Sequence, residues 1–185
     1  GMLGDGLNLH VAYAMVAGSG HVNDKSSGGD STGQGRGYDI ALSHTGIMDG
    51  AEIFLGYSNI EQDANAGHAS GKTGDRSQYV YGFTYAAGSF TVGYQYSRDN
   101  LQNASASATS YYENNAYGIS FAVNDDLSVS YATQTVDING KGEDETNSGF
   151  GASYSMGSMS VAAYAGKTEN GNGVSTSDDE GKGLT

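Results

Sequence analysis

Between residues 77 and 98 the chain alternates large apolar rings with small polar side chains. Tyr79, Tyr81, Phe83 and Tyr85 fall on every second position, with Gln78, Gly82 and Thr84 between them and Val80 as the apolar exception. After Ala87-Gly88-Ser89 the pattern resumes: Phe90, Val92, Tyr94 and Tyr96 alternate with Thr91, Gly93, Gln95 and Ser97. A β-strand sends successive side chains to opposite faces, so each arm has one aromatic face and one small polar face. The pattern predicts a hairpin with a tight turn at residues 87–89. A soluble sheet would carry Lys, Glu or Thr on its outer face. Here the polar face is Gly, Ser, Thr and Gln, and the apolar face is rich in Tyr, which is the alternation of a barrel wall between hydrocarbon and water.

The rest of the chain repeats this alternation. Segments at residues 7–16, 37–45, 51–61, 114–123, 127–137, 148–156 and 159–167 join the two arms to predict nine strands. Tyr38, Ile40, Leu42 and His44 oppose Asp39, Ala41 and Ser43; Ile53, Leu55 and Tyr57 oppose Glu52, Gly56 and Ser58, with Phe54 breaking the polar side. Most segments have the roughly 9 to 11 residues that cross a bilayer at a 45° tilt. Long polar stretches at 17–35, 62–76, 99–113, 138–147 and 168–185 alternate with short turns at 46–50, 87–89, 124–126 and 157–158. Short turns at one end and longer loops at the other characterise outer-membrane barrels. No helix-period stripe occurs, so no helix is predicted. Nor does any run approach the ~18 apolar residues of a membrane helix.

In hydrocarbon every backbone N–H and C=O needs a protein partner, and a sheet supplies this only by closing on itself. Nine strands do not close in the even-numbered way of bacterial barrels. The expectation is therefore that this chain is a portion of a longer barrel. Gly183-Leu184-Thr185 reads as the start of another strand.

Composition narrows the chemistry. Eight Lys+Arg stand against 21 Asp+Glu, a formal charge of −13. That balance argues against nucleic-acid phosphates, which need a basic face. The absence of Cys removes disulfides and thiolate metal sites, and the absence of Pro suits unbroken strand ladders. His10, His21, His44 and His68 are scattered without metal-ligand spacing, and no GxSxG elbow or phosphate-cradling glycine loop is present. A barrel enzyme would need a Ser/His or Asp/His pair at the lipid level, and His44 has no evident partner. No catalysis is expected.

Two stretches carry a family resemblance: AYGISFAVNDDLSVSYATQT at 116–135 and GFGASYSMGSMSVAAYAGKTEN at 149–170. Each is a Tyr/Gly strand, a minimal turn and a returning strand. They resemble the general (trimeric) porins of Gram-negative outer membranes, especially those of alphaproteobacterial type. The resemblance implies an all-β fold, an antiparallel transmembrane β-barrel of 16-stranded porin type, of which about nine strands lie in residues 1–185. The N-terminal strands, the inward-folded constriction loop and the closing C-terminal strand would lie outside this sequence. It also implies a bacterial outer-membrane location, a homotrimer, and contact with lipid and lipopolysaccharide. Small hydrophilic solutes and ions would cross by passive diffusion, with no cofactor and no nucleic-acid partner.

On this reading His10, Asp39, Glu52, Arg76, Gln78, Thr91 and Gln95 are expected to line the pore. Tyr79, Tyr81, Phe83, Tyr85, Tyr94, Tyr96, Tyr117 and Phe121 are expected on the lipid face or in its aromatic girdles, as are Tyr13, Tyr38 and Tyr57. The acidic balance predicts mild cation preference. The triplets Glu143-Asp144-Glu145 and Asp178-Asp179-Glu180 lack the spacing of a calcium loop, so any Ca²⁺ or Mg²⁺ there would be loosely held. The alternative is a secreted or surface-associated all-β adhesin without a channel, which would be soluble without detergent.

Overall fold

The computed structural model describes residues 5–14, 36–62, 72–105 and 108–184. They form a single ten-stranded antiparallel sheet in which every strand pairs with its neighbours in sequence, from β1 to β10. The strands are β1 (Leu7–Ala14), β2 (Gly37–His44), β3 (Ala51–Ile60), β4 (Arg76–Ala87), β5 (Phe90–Asn100), β6 (Tyr111–Ala122), β7 (Leu127–Ile138), β8 (Glu145–Met156), β9 (Met159–Glu169) and β10 (Asp179–Leu184).

Nine strands were expected, and the tenth is the correction. Residues 168–185 read as one polar loop, but Asp179–Leu184 pairs with β9. Other strands run further towards the long-loop end than alternation suggested. β5 continues through Asp99 and Asn100, β6 begins at Tyr111, β8 begins at Glu145, and Arg76 is the first residue of β4. Polar residues at a strand end look like loop in a sequence, yet their backbone still completes the ladder. The connection at 139–144 is then no longer than the turn at 45–50, so the contrast of loop lengths is weaker than expected. One 3₁₀ turn, Gly171–Gly173, interrupts the otherwise all-β arrangement of the described residues. Residues 15–16 of the first predicted segment, the loop at 17–35 and residues 63–71 of the next long loop lie outside the described residues.

The tight turns follow from their residues. Gly88-Ser89 joins the paired residues Ala87 and Phe90, with Gly88 at φ 59. Gly157-Ser158 joins Met156 and Met159 in the same way, with Gly157 at φ 59. A glycine with positive φ at the first central position suits a type II′ hairpin turn. At the 124–126 turn the Asn124 side-chain oxygen accepts from the backbone N–H groups of Asp126 at 2.9 Å and Leu127 at 2.8 Å.

The register fixes which residues share a face, because directly paired residues point the same way. Leu9, Leu42, Leu55, Tyr81 and Tyr96 form one row across five strands. Val11, Ile40, Tyr57 and Tyr79 form the next. The opposite face carries Ala41, Gly56 and Val80 in one row, and Asp39, Ser58, Gln78 and Asp99 in another. Ile138 is the buried hydrophobic residue among those described. Large apolar residues instead stand exposed, Phe83 at 42% and Ile119 at 45%. Among the described residues no second layer covers them, and the apolar face is not packed as the core of a sandwich.

The two apolar residues that interrupt the polar side of β3 and β4, Phe54 and Val80, share a cause: each stands opposite a glycine. Phe54 pairs with Gly82, and a Cβ on Gly82 would lie 2.6 Å from the Phe54 ring. Val80 pairs with Gly56, whose Cβ would lie 3.0 Å from Val80 Cγ1. The larger side chain fills the space its partner lacks, so these residues support the alternation rather than break it.

Candidate functional site

The candidate site is the small polar face. All seven residues expected to line a pore lie on it by register: His10 opposite Ala41, Asp39 opposite Ser58, Glu52 opposite Thr84, Arg76 opposite Ile60, Gln78 opposite Asp99, Thr91 opposite Ser120 and Gln95 opposite Gly82. They spread over its height. Glu52 and Thr91 lie near the short turns, Gln95 near mid-strand, and Asp39, Arg76 and Gln78 towards the long loops. The eight aromatic residues assigned to the other face all share it: Tyr79, Tyr81, Phe83 and Tyr85 on β4, Tyr94 and Tyr96 on β5, Tyr117 and Phe121 on β6. The rings of Tyr79, Tyr81, Phe83, Tyr94, Tyr96 and Tyr117 are linked by successive contacts, and Phe121 contacts Phe90 separately. Tyr81 stacks on Tyr96 at 5.0 Å, Tyr94 lies 5.0 Å from Tyr117, and Phe90 stacks on Phe121 at 4.5 Å.

Sequence reasoning missed the partner of Arg76. Asp99, assigned to a loop, is the tenth of the eleven residues of β5 and continues the parity of Gln95 and Ser97. Arg76 donates from Nε to Asp99 Oδ1 at 2.8 Å and from its terminal nitrogen to Oδ2. Both side chains are buried, at 4% and 2% exposure. This two-point geometry matches guanidinium to carboxylate and cancels both charges. Arg76 therefore sits on the polar face as half of a neutral pair. Continuing the alternation of Gln95 and Ser97 one step further, to residue 99, is the signal that points to Asp99, and the sequence reading stopped short of it.

On the other face, at the same end, Arg98 donates to Glu113 at 3.1 Å and lies 4.0 Å over the Tyr111 ring. Polar groups concentrate there, as expected of a strand end that leaves hydrocarbon. Two pairs of loops interlock above. Lys72 donates to Asn103 Oδ1 at 2.6 Å and to the Leu101 carbonyl at 3.2 Å. Asn170 donates to the Asp144 carbonyl at 3.2 Å, and the Asn172 N–H to Glu145 Oε2 at 2.8 Å.

The acidic triplets take part in this lacing. Asp178 accepts from the Asn170 N–H at 3.0 Å, and Glu145 from Asn147 at 2.8 Å. Among the described residues no three His, Cys, Asp or Glu side chains converge as a metal site. His44 Nδ1 accepts from the Gly46 N–H at 2.8 Å, a turn contact. His21 and His68 lie outside the described residues.

Among the described residues the sheet carries rings on one face and small polar groups on the other, with large apolar residues exposed, which is the pattern of a membrane β-barrel wall. The comparisons agree: a model of the Gram-negative porin family matches residues 3–175. The chain belongs to the Gram-negative porin family, and its place is the bacterial outer membrane. That family consists of channels rather than enzymes. Comparison with curated proteins finds no match.

Proposed function

We propose that this chain forms wall of a water-filled diffusion channel, with the small polar face towards the lumen and the aromatic face towards lipid and lipopolysaccharide. The full barrel assembles as a homotrimer and passes small hydrophilic solutes and ions down their gradients, without cofactor or conformational cycle. The observation that carries this reading is the unbroken register across ten strands. It keeps every predicted lumen residue on one face and every predicted lipid-facing ring on the other.

The same register supports mild cation preference. Among the described strand residues the lumen face holds Asp39, Glu52, Asp99, Glu145 and Asp179, against Arg76 alone as a fixed cation. The Arg76–Asp99 pair cancels, which leaves four carboxylates. The cations of the later strands, Arg98, Lys167 and Lys182, are on the opposite face. A negative wall raises the local cation concentration. Divalent cations at the acidic loops would bind weakly, because Asp178 and Glu145 are already engaged by loop hydrogen bonds.

The test is conductance of the purified full-length protein in planar bilayers under a KCl gradient. Discrete channel steps with a reversal potential on the cation side support the proposal. Absence of channels overturns it, and an anion-side potential overturns the charge argument.

A further inference from the structure

The lumen face of β6 to β10 holds a cleft of about 500 Å³. Its floor is a cross-strand row with almost no side chain: Ala132, Gly149, Gly166 and Gly181. At the ~4.8 Å spacing of paired strands this floor is roughly 14 Å wide. Towards the long loops it is bounded by Gln134, Asn147, Thr168 and Asp179. Towards the short turns it is bounded by the Tyr164 ring. Tyr164 and Thr168 are four residues apart on β9, about 13 Å along the strand.

Tyr164 faces Gly151 and Gly183 across the ladder, as Phe54 and Val80 face glycines. It differs in exposure. Phe54 and Val80 are half-buried, whereas Tyr164 is 57% exposed. Its ring is laid on Gly183, whose added Cβ would sit 2.5 Å from two ring carbons and the phenolic oxygen. One ring face is thus held by the sheet and the other is open to the cleft.

The polar wall is also set in place. Thr168 Oγ1 donates to Asn147 Oδ1 at 2.7 Å, Asn147 Nδ2 donates to Glu145 at 2.8 Å, and Gln134 Nε2 donates to Asn114 at 3.1 Å. These bonds orient the carboxamides without using their full capacity, since each carries two donors and an acceptor with two lone pairs.

We infer that this cleft is a binding subsite for a neutral saccharide, an inference that rests on the lumen assignment proposed above. A sugar ring has an apolar C–H face and a rim of hydroxyls. Tyr164 presents a flat apolar surface, and across the cleft stand amides, a hydroxyl and the Asp179 carboxylate, which accepts from hydroxyl donors. An apolar surface with a few convergent polar groups is the usual make-up of a small-ligand site. The Asp179 charge disfavours sugar phosphates. Solutes of this class would pause on the wall rather than only diffuse past it.

The experiment is single-channel current of the full-length protein in planar bilayers with maltose added to 100-fold above its half-blocking concentration. Wild type should show saturable block. Tyr164→Phe keeps the ring and should retain it, while Tyr164→Ala should raise the half-blocking concentration by roughly tenfold, the loss of one stacking contact. Sugar-free conductance reports that each variant has folded. A maltose effect that never saturates, or is the same in wild type and Tyr164→Ala, overturns the inference while the channel reading stands. Absence of channels in the wild type overturns the channel reading and the subsite with it.

Discussion

Tyr81 and Gln95 offer the sharpest comparison in this sheet. Tyr81 pairs with Tyr96, and the next row pairs Gly82 with Gln95, so the two residues stand at nearly the same height near mid-strand on opposite faces. Tyr81 is 48% exposed and stacks on Tyr96 at 5.0 Å and 25°. A lysine on the lipid face of a barrel costs about 2–4 kcal/mol at the bilayer midplane. Losing the ring stack adds about 0.5–1.5 kcal/mol. Tyr81→Lys should therefore lower the folding equilibrium by roughly two to four orders of magnitude, at 1.4 kcal/mol per decade. Gln95→Lys places the same charge towards water and should change stability by about 0.5 kcal/mol or less. The 185 residues given contain no Trp, so tryptophan fluorescence does not report on this sheet directly. Folding of the full-length protein into phospholipid vesicles can instead be followed across a urea series by the electrophoretic shift of the folded barrel on unheated gels. Equal losses for the two variants, or a larger loss for Gln95→Lys, would refute the assignment of faces.

Three other outcomes follow from the same geometry. Asp99→Ala leaves the buried Arg76 charge without its carboxylate and should cost about 3–5 kcal/mol, much of it recovered in Arg76→Met/Asp99→Leu, read as urea midpoints. Gly82→Ala should cost about 1–3 kcal/mol in the same titration, because its Cβ would run into the Tyr94 carbonyl oxygen and the Phe54 ring. Asp39→Lys combined with Glu52→Lys should move the reversal potential in a KCl gradient towards the anion side; an unchanged potential would place those residues away from the ion path.

Much of the candidate site was legible because strand alternation is local. The parity of Asp39, Gln78 and Gln95 follows from their immediate neighbours, and the register kept it. Asp99, Tyr111 and Glu145 were read as loop because polar residues at a strand end look alike whether or not their backbone is paired. Asp179–Leu184 was missed for a related reason: a short Gly-, Lys- and acid-bearing segment has little apolar content, and pairing with β9 makes it a strand.

What the sequence alone determined is the two-faced character of each strand and the glycine turns that reverse the chain, since both depend on residues a few positions apart. Only the tertiary structure decided that Arg76 and Asp99 neutralise each other, that Phe54 and Val80 cover glycines, and that Tyr164 looks across a bare floor at Asn147 and Thr168. Those relations join residues on different strands. Their contact is set by hydrogen-bond register, a cooperative property of the sheet that no single segment encodes.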